Sequence, residues 1–297
     1  MRLDVITTVL VAATAVPPAG PYDLATLARV KAELDIPTGT TTWDTLLQDW
    51  ISEESARCAA YCNRVFAVET VEDELYPPRD DYPFQIPGGV GLLQLSRFPL
   101  IAPPVVATAG ADTPTGATIP IANTAGIVAG MPAANASIAL GTVVQSLVAN
   151  TSVTLSAPLT ADLPAGSTVT FGLDVRVTDP PGTVTLLTPG TDYRYDASTG
   201  QLVRLSPYSV YPMRWDPVLT QVAFQAGYAT IPLDLASACL TLIKHRWAAR
   251  TRDPFLRGMT IEGVGSKQFW VGPLGDSAGD LPPEVQAVLD RYREYPL

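Results

Sequence analysis

His245 is the only histidine in 297 residues, and it stands between two cations, Lys244 and Arg246. Neighbouring positive charge favours the neutral imidazole, so a general-base role is chemically open. A base needs a nucleophile beside it, and no G-x-S-x-G elbow occurs anywhere in the chain. His245 therefore reads as a solvated or interfacial helix position. Cys58 and Cys62 lie four apart on one helix face, and Cys239 falls in the apolar stripe of a later helix. With a single histidine, Cys-x-x-x-Cys is poor zinc chemistry, and the three thiols read as small buried hydrophobes in a reducing compartment. Glu72, Asp73, Glu74, Asp80 and Asp81 form an acidic run that resembles a hard-cation site in charge alone. It lacks the D-x-D-x-D-G loop, is broken by Pro77 and Pro78, and reads as an acidic surface loop. Gly258 and Gly263 reproduce the glycine spacing of a phosphate loop, but Val264-Gly265 follows where Lys-Ser/Thr is required, so nucleotide binding is rejected. These residues suggest no enzyme, no cofactor and no metal.

The strongest charge feature is the basic cluster Lys244, Arg246, Arg250, Arg252 and Arg257. Cations are favoured at a helix C-terminus for local reasons. The same cluster could also meet an acidic partner surface or passing DNA, and both readings stand together. A helix must position it. Ile231-Pro232 opens that helix, since proline suits the first turn; Leu235, Cys239, Leu240, Ile243 and Trp247 recur at helical spacing; Asp253-Pro254 closes it. A strand through Val222 and Phe224 and a turn at Gly227-Tyr228 lead in.

Bulk composition narrows the class. Charged residues make up 16% of the chain and apolar ones 47%, against a usual charged share of roughly 25%. Such a chain has a packed core and little surface charge, as expected of a part that hides surface in an assembly. The net charge of −10 opposes wrapping of nucleic acid, though not an acidic channel through which DNA slides. The 28 prolines and 22 glycines argue for many turns and short strands. The apolar stretch Val5 to Val16 is interrupted by threonines and lacks a cleavage pattern; it reads as an extended arm or edge strand. No segment has the roughly 18 apolar residues of a membrane span.

Helices are expected from Leu24 to Leu34, from near Thr42 to about Val65, and after Asp280, where Pro282 and Pro283 occupy the first turn. Leu92 to Leu95 and then Phe98-Pro99-Leu100 read as strands. Gly110 to Gly172 changes texture, with Asp112 and Asp162 as its only ionisable side chains. Its Thr/Val/Ser alternation between turn residues predicts an all-β module of about five or six short strands. Gly258 to Asp280 reads as a long loop or ribbon in which Phe269 and Trp270 are candidate interface anchors.

The order A-G-Y, I-P-L-D-L, long helix and R-T-R-D-P exit resembles the head–tail connector (adaptor) proteins of tailed bacteriophages. So does the early L-A-T-L-A-R-V-K-A-E-L-D-I, turn, W-D-T-L-L helix and Y-C-N-R. Asp192, Tyr193, Asp196, Gly200 and Leu202 match the family's hairpin motif; in the family that hairpin directly follows the strand at the Pro99-Leu100 position, whereas here it lies far downstream, so residues 110–172 are an insertion. The insertion itself resembles a β-module of phage virion proteins. The resemblance implies an α+β fold: a small bundle of about four helices with a β-hairpin/sheet region and an inserted all-β module. It divides the chain into an extended N-terminal arm (1–20), a connector body (21–109 and 173–297) and the inserted domain (110–172). It further implies a structural virion protein that forms a ring with neighbouring copies, dodecameric in the family. That ring would dock on the portal protein, line the channel for double-stranded DNA without sequence specificity, and receive the next neck or tail component, a stopper or tail terminator. The expected location is the virion neck, with host cytoplasm during assembly and no membrane. The rival reading is a tail- or fibre-associated protein whose β-module binds a carbohydrate or host surface.

Overall fold

A computed structural model describes residues 5–13, 20–75, 91–101, 103–179, 182–206, 211–215, 218–250, 258–261, 265–268 and 281–294. The chain divides into a β unit, residues 1–12 and 68–229, and a helical unit, residues 13–67 and 230–296.

The β unit contains β1 (Val5–Val11), β2 (Glu69–Leu75), β3 (Leu92–Gln94), β4 (Val105–Thr108), β5 (Thr118–Pro120), β6 (Ala133–Ala134), β7 (Val144–Val148), β8 (Ser152–Leu155), β9 (Thr168–Phe171), β10 (Leu173–Asp179), β11 (Thr183–Leu187), β12 (Tyr193–Asp196), β13 (Gln201–Leu205), β14 (Pro212–Met213) and β15 (Leu219–Ala226). Its main sheet is antiparallel, in the order β1-β2-β15-β10-β11. Period-2 alternation sends Val71, Leu75, Leu173, Val175, Val222 and Phe224 to one face. There they pack with Leu93, Leu95, Tyr193 and Leu202 of a smaller sheet, β12-β13-β14 with β3 on β13. The N-terminal stretch, expected as an arm or edge strand, is the edge strand over residues 5–11, with Val5 opposite Leu75 and Val9 opposite Val71.

The insertion builds two three-stranded sheets, β4-β9-β6 and β5-β8-β7, around a core of its own that includes Ile119, Ile121, Met131, Val153, Leu155, Val169 and Phe171. It begins earlier than its composition suggested. β4 pairs with β9, placing Val105 opposite Phe171, and Ala107 and Ala109 belong to the module's core. The Pro103-Pro104 pair, not Gly110, marks the boundary. Gly172, at φ 102°, is the single residue between β9 and β10, a conformation that glycine adopts without a Cβ penalty.

The helical unit holds α1 (Leu27–Glu33), α2 (Asp44–Cys62), α3 (Leu233–Ala249) and α4 (Pro283–Leu289), with a two-stranded ribbon of β16 (Gly258–Ile261) and β17 (Gly265–Gln268). Thr26 caps α1 by accepting from the Arg29 amide at 3.4 Å. Asn63 ends α2 in the left-handed region, φ 51°, a residue type that tolerates it. Pro232 and Pro282 stand at the N-caps of α3 and α4; Asp280, expected as the last cap, lies outside the described residues. Leu47, Trp50, Ile51 and Cys58 of α2, Leu235, Cys239 and Ile243 of α3, and Val285 and Leu289 of α4 are buried. Burial of each large apolar side chain contributes about 1.5–3 kcal/mol. Polar contacts tie the C-terminal segment to α2 and α3: the Tyr61 hydroxyl donates to Asp290 at 2.7 Å, the Tyr292 hydroxyl to Asp234 at 2.7 Å, and the Glu294 amide to the Cys62 carbonyl at 2.9 Å.

Candidate functional site

The basic end of α3 is built by α3 itself and by the polar sides of α1, α2 and α4. Lys244 pairs with Glu33 of α1, and that hydrogen bond and the lysine charge hold the Glu33 carboxyl below its ordinary range. Arg246 pairs with Glu53, reaches Glu54 at 3.4 Å, and lies over the Trp50 ring at 4.7 Å. His245 Nε2 stands 3.5 Å from Glu284 of α4. Arg250 stacks on two indoles, 3.5 Å from the Trp247 centroid and 4.6 Å from that of Trp43. Those rings meet edge to face at 5.8 Å. Arg252, Arg257, Phe269 and Trp270 lie outside the described residues.

Lys244, Arg246 and Arg250 are therefore brought together, but each is engaged inside its own unit by carboxylates or aromatic faces. As placed, Lys244 and Arg246 offer less free positive charge to a polyanion than the bare sequence cluster implies. Nothing local in sequence signals the pairing of Glu53 and Glu54 with Arg246, nearly two hundred residues away. Trp43 and Trp50, spaced seven apart, were the available hint of an aromatic platform.

The acidic run departs from its expectation. Glu72, Asp73 and Glu74 are not a surface loop; they lie on β2, the second strand of the main sheet. Asp73 is fully buried. It accepts from the Thr7 hydroxyl at 2.7 Å, from the Ser96 amide at 2.7 Å and from the Ser96 hydroxyl at 2.7 Å. Burial pushes its carboxyl up, against the pull of those donors. On the sheet's other face Asp174, also fully buried, takes a fork of three hydrogen bonds from Arg176 at 2.9–3.1 Å. Burial again raises the acid while the guanidinium lowers it. Arg176 also donates to the Ile138 carbonyl of the insertion at 2.7 Å. A strand reads as a loop here because consecutive acids are poor strand formers, and only tertiary partners make them fit. Asp80 and Asp81 lie outside the described residues.

All three cysteines are free and buried. Burial raises the Cys62 and Cys239 thiols to about 11 and the Cys58 thiol further, so they stand as thiols rather than reactive thiolates. Among the described residues, no group of three or more His, Cys, Asp or Glu side chains is placed to hold a metal. No helix among them is long and apolar enough to cross a membrane.

No protein family matches the chain, and no curated protein matches it. Among solved structures, it is similar to a chain of the neck of an empty gene transfer agent particle computed with C6 symmetry, at 16% identity and a TM-score of 0.37. It is also similar to a chain of the virion of a native gene transfer agent particle, at 14% identity and a TM-score of 0.41. Each match covers 98% of this chain and 97% of the other.

Proposed function

We propose that this chain is a structural component of a phage-like virion, and within it a head–tail adaptor. Copies form a ring, dodecameric by the family resemblance, beneath the portal protein. The ring lines the DNA channel and joins the capsid to the next neck or tail component, a stopper or tail terminator. The protein resides in the virion neck and passes through the host cytoplasm during assembly. One observation carries the reading. The helical segments with connector motifs, residues 13–67 and 230–296, pack as one helical unit of α1, α2, α3 and α4, with most of the β unit between them in sequence.

The charge distribution supports a conduit rather than a grip. The net charge is −10, and Lys244 and Arg246 already face carboxylates, so double-stranded DNA passes without being held. In this reading Arg250, Arg252 and Arg257 remain the cations directed at the portal or DNA, and Phe269 and Trp270 the anchors against a neighbour. Electron microscopy of the full chain mixed with portal rings tests it: closed rings docked on the portal support the adaptor, and particles of other symmetry bound elsewhere oppose it.

A further inference from the structure

Among the described residues, the main sheet ends on two strands with no paired neighbour on their outer side. Among the described residues β1 pairs only with β2, and β11 only with β10. β1 reads V-I-T-T-V-L-V and β11 T-V-T-L-L. Neither holds a charge or a proline, the usual devices that keep a sheet edge from pairing with another chain. The one register irregularity of β1, between Val9 and Val11, lies at its far end. Both strands also expose apolar side chains: Ile6 at 57%, Val9 at 46% and Val184 at 54%.

We propose that these two edges are the halves of one interface, in which β1 of one copy adds to β11 of the next. This rests on the ring-forming reading above and names the surfaces that make the ring. The occupant is a second copy because both edges belong to one sheet and are alike in composition, and the five residues of β11 fit within the seven of β1. Their directions match as well. Every pairing in this five-stranded sheet is antiparallel, so the first and last strands run the same way. A small rotation between neighbours preserves that direction, and β1 meets β11 as a parallel pair over roughly 17 Å of strand. A contact between two different patches repeats head to tail and closes into a ring when the rotation closes. A β1–β1 contact would stop at a dimer.

The test uses the full chain, whose native cysteines are all buried. Thr8 and Val184 are exposed and lie on the same face of the sheet, by register with Glu72 and Thr178. The Thr8→Cys/Val184→Cys double variant, treated with a short bismaleimide, is expected to give a ladder of dimers, trimers and higher species. An equal mixture of the two single variants gives dimers, and neither single variant alone gives any. Dimers from Thr8→Cys alone, or no ladder from the double variant, overturn the proposal. In parallel, Ile6→Lys and Thr185→Lys, each checked for an unchanged melting transition, are expected to abolish rings seen by microscopy. Rings that persist in both variants overturn the edge contact and leave the adaptor reading intact. A wild-type chain that forms no ring alone or on the portal fails the adaptor reading itself.

Discussion

Asp73 shows how a charged residue is kept inside this sheet and what that does to stability. Its oxygens take three donors, yet burial still lifts its carboxyl above the ordinary value. The folded chain therefore holds that proton at a pH where the unfolded chain, titrating near about 3.9, has lost it. The stabilising contribution is complete below the unfolded value and is lost as pH rises through the folded one. Asp174 and Glu72 are raised as well and act with the same sign. Urea midpoints measured from about pH 4 to about pH 7 are thus expected to fall with rising pH. Asp73→Asn, which cannot ionise and retains an acceptor, should flatten part of that slope; an unchanged slope would remove Asp73 from the account. At the basic end of α3, Arg246→Ala removes two carboxylate partners and a stacked indole together and should cost about 1–2 kcal/mol in urea unfolding. Lys244→Ala loses only an exposed pair, and its midpoint should barely move.

At the scale of elements, the insertion is separable in its core but not in its contacts. Its apolar cluster is distinct from that of the main sheet. Even so, Arg176 donates to the Ile138 carbonyl and the Thr70 hydroxyl to the Gly130 carbonyl at 2.6 Å. Replacing residues 105–171 with a short Gly/Ser linker should leave a folded chain by circular dichroism. Because Arg176 and Thr70 lose partners, stability should drop by about 1–3 kcal/mol; a chain that no longer melts cooperatively would show that the insertion is part of the sheet's own core. Much of this layout was legible. The period-3.6 stripes led to the second, third and terminal helices, and the uncharged Thr/Val texture led to a β-rich module. The module's first strand was missed because four residues after two prolines carry no periodicity of their own. β2 was missed because E-T-V-E-D-E-L is stabilised by Thr7, Ser96 and the neighbouring strands, none of them local in sequence.

For the molecule as a whole, a charged share of 16% and, among the described residues, two sheet edges with exposed apolar side chains are the features that the proposed ring would cover. The basic cluster illustrates the limit of linear reading: sequence placed the cations side by side, and the fold supplied each described one with a carboxylate or an indole. The direct measurement is a cryo-electron microscopy reconstruction of the intact particle in which copies of this chain are located. The account predicts a closed ring directly beneath the portal, around the DNA channel, with β1 of each copy beside β11 of its neighbour. Copies found at a distal fibre, or arranged as trimers away from the portal, would contradict it.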